Sequence, residues 1–146
     1  MTRTTRTIRL VTEGPVPTAA GRALAALREA WLRRGFLLDD AAGACGPALI
    51  AGFASAPPVA RALSQAGVAV PETPESLLIR RVEPATLLVA GRDERGLAYA
   101  LAEVAAGVDS AFGPDPFAGV VEVVESPLLG WRSLMNMWSA RNRVWR

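Results

Sequence analysis

Histidine is absent from this chain of 146 residues. Its absence excludes Ser-His-Asp and Cys-His nucleophile systems, histidine general bases and histidine-ligated zinc. Cysteine occurs once, at Cys45, which excludes an intrachain disulfide and a CxxC metal knuckle. Cys45 lies in the loop AAGACGPAL, between glycines and with no histidine to act as its base, so it reads as an incidental thiol. No cofactor and no metal are expected. Lysine is missing as well. All sixteen basic residues are arginine, and with the abundant alanine this reads as the coding bias of a GC-rich genome. A large charge excess is also lacking. The net charge of +2 falls short of a strongly basic nucleic-acid binder, and no nucleic-acid partner is expected. The pI of 9.5 reflects near-balanced acids and arginines with no lysine or histidine buffering between them. No apolar run reaches the ~20 residues that cross a bilayer. The basic start MTRTTRTIRLVTEG leads into no continuous apolar segment of a signal peptide, so no membrane span and a cytoplasmic location are the expectation.

What is present is the material of a globular core: 51% hydrophobic and 21% charged residues, in a length suited to one domain. Residues 6–12, RTIRLVT, alternate Ile8 and Leu10 with polar neighbours and read as a strand. Thr18 is placed to cap a helix over 19–34, with Ala20, Leu24, Leu27 and Trp31 on one stripe and Gly35 as its stop. Residues 36–38 are a short apolar piece, and 39–47 a loop. ALIAGF, 48–53, reads as a buried strand. Pro57 and Pro58 open a second helix carrying Val59, Ala62 and Leu63, which ends near Gly67. VPETPE is punctuation. Residues 75–82 and 85–90 read as a hairpin. A long helix follows from about Asp93, with Leu97, Leu101, Val104 and Val108 at helical spacing and Gly107 at its end. Residues 112–119, FGPDPFAG, have the texture of a linker, and VVEVV at 120–124 that of a strand. The pattern predicts an α+β fold: a small two-layer sandwich with a mixed β-sheet and helices mainly on one face.

The stretch LLVAGRDERGLAYALAEVAAG, 87–107, has the outline of a phosphate-binding loop: strand, glycine, turn, glycine, helix. Its chemistry contradicts that outline. Gly91 and Gly96 keep the P-loop spacing, but Leu97 stands where the lysine belongs, and Gly91-Arg92-Asp93 breaks GxGxxG. Asp93 and Glu94 put negative charge where a phosphate would sit. They suit the helix itself instead, Asp93 as a cap and Glu94 at the positive end of the dipole. Gly96 in the first turn lets helix and sheet approach closely.

Residues 92–101, RDERGLAYAL, following a strand, resemble the small α/β domain that precedes the catalytic barrel in family 20 glycoside hydrolases, the β-N-acetylhexosaminidases. Similar domains precede the barrel in α-glucuronidases. The resemblance extends to 126–138, where Ser126-Pro127 is followed by Trp131-Arg132-Ser133-Leu134-Met135, similar to the Arg-Gly-Leu-Met-like first barrel strand. Ala100 and Ser133 stand where that pattern has glycine. The resemblance implies an accessory domain over 1–111, a linker and strand over 112–125, and the start of a truncated (β/α)8 barrel, or a tail, over 126–146. Such a barrel takes ~250 residues and supplies the catalytic carboxyls, so no catalytic residue and no hydrolysis are expected from these residues alone. The implied partners are the chain's own C-terminal barrel and the parent enzyme's glycan. Arg132 matches the family arginine that holds sugar hydroxyls, a task suited to the guanidinium fork. Asn136 and Trp138 are softer substrate-binding candidates at the same barrel mouth.

Two other readings stand beside this one. The tail WRSLMNMWSARNRVWR interleaves tryptophan with arginine, as a nucleic-acid or anionic-surface binder does. A standalone carbohydrate or protein interaction module is the other, although Phe53 is the only aromatic in the expected strands. The acids Asp39, Asp40, Glu122 and Glu125 read as solvated surface charge. Leu128, Leu129, Trp131, Leu134 and Trp138 are expected to form an exposed apolar patch that promotes self-association.

Overall fold

The computed structural model describes residues 6–40, 43, 45–83 and 85–127. In chain order these form β1 (Arg6–Val11), α1 (Thr18–Arg33), β2 (Phe36–Asp39), β3 (Ala48–Phe53), α2 (Pro57–Ala66), β4 (Leu77–Glu83), β5 (Thr86–Gly91), α3 (Glu94–Asp109) and β6 (Val123–Glu125). The six strands make one sheet in the order β2-β1-β3-β5-β4-β6. The first four in that order are parallel neighbours, and β4 runs antiparallel to both β5 and β6. The α+β class, the mixed sheet and the predicted hairpin are all present.

Strand periodicity sorts the side chains between two clusters. Ile8, Leu10, Leu49, Leu87, Val89, Leu77 and Ile79 point to one face, where α1 and α3 cover them with Leu24, Leu27, Trp31, Leu97, Leu101, Val104 and Val108. Each such side chain, fully buried, stabilises the fold by about 1.5–3 kcal/mol. The alternate residues Leu78, Leu88 and Ala90 meet Val59, Ala62, Leu63 and Val70 on the other face, beneath α2. Two of the three helices therefore share one face. The continuous apolar run of β5 follows from its place between helices on both sides.

Several boundaries differ from the sequence-based expectation. Thr18 is the first residue of α1 rather than its cap. Pro17 holds the cap position without a side-chain hydrogen bond. Residues 36–38 are not a bare apolar piece but most of edge strand β2, paired in parallel with β1. The first half of the hairpin starts at Leu77, because Glu75 adopts the left-handed region at φ 62. Helix α3 passes through Gly107 to Asp109. A methyl group at Gly107 would overlap the Gly119 carbonyl, so that glycine serves a close backbone approach rather than a helix stop.

The sheet also fixes where the described chain leaves. Leu77 pairs with Gly91 on one side and with Glu125 on the other. The end of β6 therefore lies at the carboxyl ends of the parallel strands, the end at which α1 and α3 begin.

Candidate functional site

Residues 92–96, RDERG, form a hub at that carboxyl end. Asp93 uses both carboxylate oxygens: Oδ1 caps α3 by accepting from the Gly96 amide at 2.9 Å, and Oδ2 holds the loop before β4 by accepting from the Glu75 amide at 2.9 Å. Glu94, in the first turn of α3, accepts from the Ala19 amide at 3.0 Å. It thereby satisfies an amide at the start of α1 that has no intrahelical partner. Arg92 donates to the carbonyls of Val70 at 2.6 Å and Pro71 at 3.0 Å. Arg95 pairs with Glu75 at 3.0 Å. Gly96 completes the set, since a methyl group there would overlap the Ser76 carbonyl. Every residue of RDERG is thus spent on the fold, and the loop at 70–76 occupies the space over the helix start. This geometry agrees with the exclusion of a phosphate cradle.

The Asp93 carboxyl feels opposing influences. Burial raises its pKa, but the amides of Gly96, Glu75 and Arg95 and the Arg95 charge together hold it below the ordinary carboxylate value. A depressed folded-state pKa means that the unfolded chain binds its proton first as acid is added. The stabilisation is present in full above the unfolded value of about 3.9 and is lost as the pH falls through the lower folded value. Asp93→Ala is expected to cost about 1–2 kcal/mol at neutral pH, because two amides lose their acceptor. The loss relative to the parent should shrink as urea midpoints are measured at successively lower pH below about 4.

The opposite end of the sheet carries a cleft of about 450 Å³. Arg6 and Thr7 at the start of β1, Phe36 at the start of β2, Pro47 before β3 and Ala85 before β5 form one side. The other side is the proline-rich stretch 114–117. That stretch, whose texture suggested a linker, is a strap docked on the domain. Phe117 is 1% exposed and meets Trp31 edge to face, ring centroids 6.2 Å apart. Prolines remove amide donors and leave carbonyls in need of partners, and side chains supply them. Arg6 donates to Pro114, Trp31 Nε1 and Arg34 to Pro116, Arg34 also to Gly113 and Asp115, and Arg81 to Phe117. Arg81 also pairs with the Asp115 carboxylate at 2.9 Å.

Arg132, Asn136 and Trp138, the substrate-binding candidates implied by resemblance, lie outside the described residues, as does the apolar patch at 128–138. Cys45 is an exposed free thiol. Asp40, Glu122 and Glu125 are exposed, while Asp39 is half-buried at the end of β2. Glu122 accepts from the Arg81 amide at 2.8 Å, beside the register shift in β4. Among the described residues no group of histidine, cysteine or acidic side chains is placed to hold a metal ion, and no helix is long and apolar enough to cross a membrane.

No protein-family model matches the sequence, and no curated protein matches it. Solved structures do. A family GH115 4-O-methyl-α-glucuronidase with specificity for decorated arabinogalactans superposes with a TM-score of 0.54 at 18% identity, over 70% of this chain and 13% of that one. What is shared is the fold. A family GH138 enzyme targeting pectin rhamnogalacturonan II gives a TM-score of 0.48 at 13% identity, over 83% of this chain and 15% of that enzyme. The chain therefore spans about a seventh of the glycan-acting enzymes it resembles.

Sequence reasoning gives Arg6, Arg81 and Phe117 no site role, and Arg34 only a place at the negative end of the first helix's dipole. The available signal was a proline-rich segment containing one phenylalanine, in a chain whose only cations are arginines.

Proposed function

We propose that these residues form the non-catalytic N-terminal α/β domain of a glycoside hydrolase and support a catalytic barrel that begins after residue 125. The observation that carries this reading is the shared fold with a domain-sized portion of a much longer α-glucuronidase. Two features add support. RDERG and the helix after it occupy a strand-to-helix junction, the position that motif has in accessory domains of this kind. Several described acids are committed to structure: Asp93 and Glu94 on helix-start amides, Glu122 on the Arg81 amide, and Glu75, Asp109 and Asp115 in ion pairs with arginine. In this reading Arg132, Asn136 and Trp138 belong to the barrel's sugar pocket.

The test uses both lengths of polypeptide. The 146-residue chain should release nothing from a panel of aryl glycosides. The polypeptide encoded by the full genomic reading frame should be active on at least one of them. Arg132→Ala in that longer polypeptide should lower kcat/KM by about 100-fold while its circular dichroism stays unchanged, the scale of a lost charge-assisted contact to the reacting sugar. A reading frame without a barrel, or an Arg132→Ala enzyme of full activity, would overturn the proposal.

A further inference from the structure

We propose that the cleft between the strap and the amino ends of the parallel strands binds a small organic carboxylate with an apolar body. This site is independent of any sugar pocket in a barrel. Its volume of about 450 Å³ lies in the range of small-molecule sites, ~300–1,000 Å³. Its walls are apolar: Pro47, Ala85, Pro114 and Pro116, with Phe36 and Phe117 behind them. An apolar body fits such a surface without leaving its own polar groups unpaired.

Among the described residues two charged side chains line the cleft, Arg6 and Asp115. Arg6 lines it, and its assigned partner is the Pro114 carbonyl at 3.1 Å. Arg34, outside the lining, lies 5.6 Å from the Phe36 ring centroid and among the described residues donates to carbonyls of the strap. Asp115 pairs with Arg81, which lies outside the lining. That acid has a second donor in the Phe117 amide at 3.0 Å. The lining's one carboxylate is thus paired with a guanidinium outside the lining, while Arg6 meets a carbonyl. A carbonyl satisfies an arginine hydrogen bond but brings no neutralising charge, so the Arg6 charge stays unmatched within the described lining. Arg6 is exposed, and a guanidinium offers five N–H donors, so donors remain beyond the one given to Pro114. Thr7 also lines the cleft. A carboxylate on Arg6 with its hydrocarbon part against the prolines satisfies both the charge and the apolar wall.

Position in the fold agrees with this assignment. Open parallel sheets usually take ligands at the carboxyl ends of their strands. At the carboxyl end of β5 the RDERG hub and the 70–76 loop pack over the start of α3, whereas the strap builds a concave wall at the opposite end.

The experiment titrates the full 146-residue chain, followed by amide NMR, with three probes: 4-phenylbutyrate, its neutral primary amide and inorganic phosphate. Phenylbutyrate should shift the amides of Thr7, Phe36, Ala85 and Phe117 saturably. The neutral amide should bind at least 10-fold more weakly, and phosphate should shift the same signals little. Arg6→Gln should reduce phenylbutyrate affinity to that of the neutral amide, while Arg22→Gln, on the exposed side of α1, leaves it unchanged. Equal binding of acid and amide, an Arg6→Gln protein of full affinity, or no saturable shift at 10 mM probe would each overturn the proposal. Phosphate binding as tight as phenylbutyrate would also overturn it, since the apolar body would then contribute nothing.

Discussion

Replacing Gly96 with alanine is expected to destabilise the domain by about 3 kcal/mol or more, a fall in Tm of about 10 °C. The added methyl group would overlap the Ser76 carbonyl oxygen and crowd the Glu75 carbonyl carbon at 3.1 Å. Both are backbone atoms, so no side-chain rotation relieves the clash. Helix α3 would have to withdraw from β4, and the Asp93 and Arg92 hydrogen bonds to the 70–76 loop would lengthen together. Gly91 guards the same approach from the strand side, since a methyl group there would overlap the Leu97 amide. The double variant Gly91→Ala/Gly96→Ala should therefore cost less than the sum of the two singles, because the first withdrawal makes room for the second. Gly21→Ala is the internal control. It lies within α1, and its methyl group would meet only the Val16 carbonyl at an ordinary 3.6 Å. There the helix propensity of alanine should raise stability by about 0.5–1 kcal/mol. Equal behaviour of Gly96→Ala and Gly21→Ala in thermal unfolding would remove the close-approach argument.

Phe117→Ala should cost about 3–4 kcal/mol and free the strap. The ring is buried against Trp31, and the Arg81 guanidinium carbon lies 5.9 Å from its centroid. Without the ring, the hydrogen bonds from Arg6, Arg34, Trp31 and Arg81 must hold the strap alone. Most of those donors are partly exposed and compete with water, so each contributes only about 1 kcal/mol net. Limited proteolysis should then cut within residues 112–119 well before it cuts the helices, and amide exchange there should accelerate. Trp31→Phe should be milder, at about 1 kcal/mol, because Arg34 still donates to the Pro116 carbonyl at 3.2 Å. A Phe117→Ala chain as stable and as protease-resistant as its parent would mean that the strap contributes nothing to the fold.

The elements whose signals are local were legible in the sequence. Helices α2 and α3, strand β3 and the β4–β5 hairpin follow from apolar periodicity, proline at a helix start and a turn between two apolar runs. Asp93 was readable as a cap and Gly96 as a close-packing position, because both roles act within a few residues. These signals determined the α+β class, and the missing histidine and P-loop lysine excluded histidine chemistry and a P-loop.

Tertiary structure alone decided the rest, because each remaining feature joins residues distant in the chain. Glu94 lies 75 residues from the α1 amide it satisfies. Arg81 reaches Phe117 across 36 residues, and Trp31 reaches Pro116 across 85. Proline-rich texture says that a segment cannot make a ladder, but not that arginines elsewhere will satisfy its carbonyls. A three-residue apolar piece such as 36–38 becomes a strand only because β1 offers it an edge. The cleft, too, exists only once the strap is closed over the strand starts. Periodicity and caps are written by neighbours in sequence, whereas charge matching and concavity are made by neighbours in space.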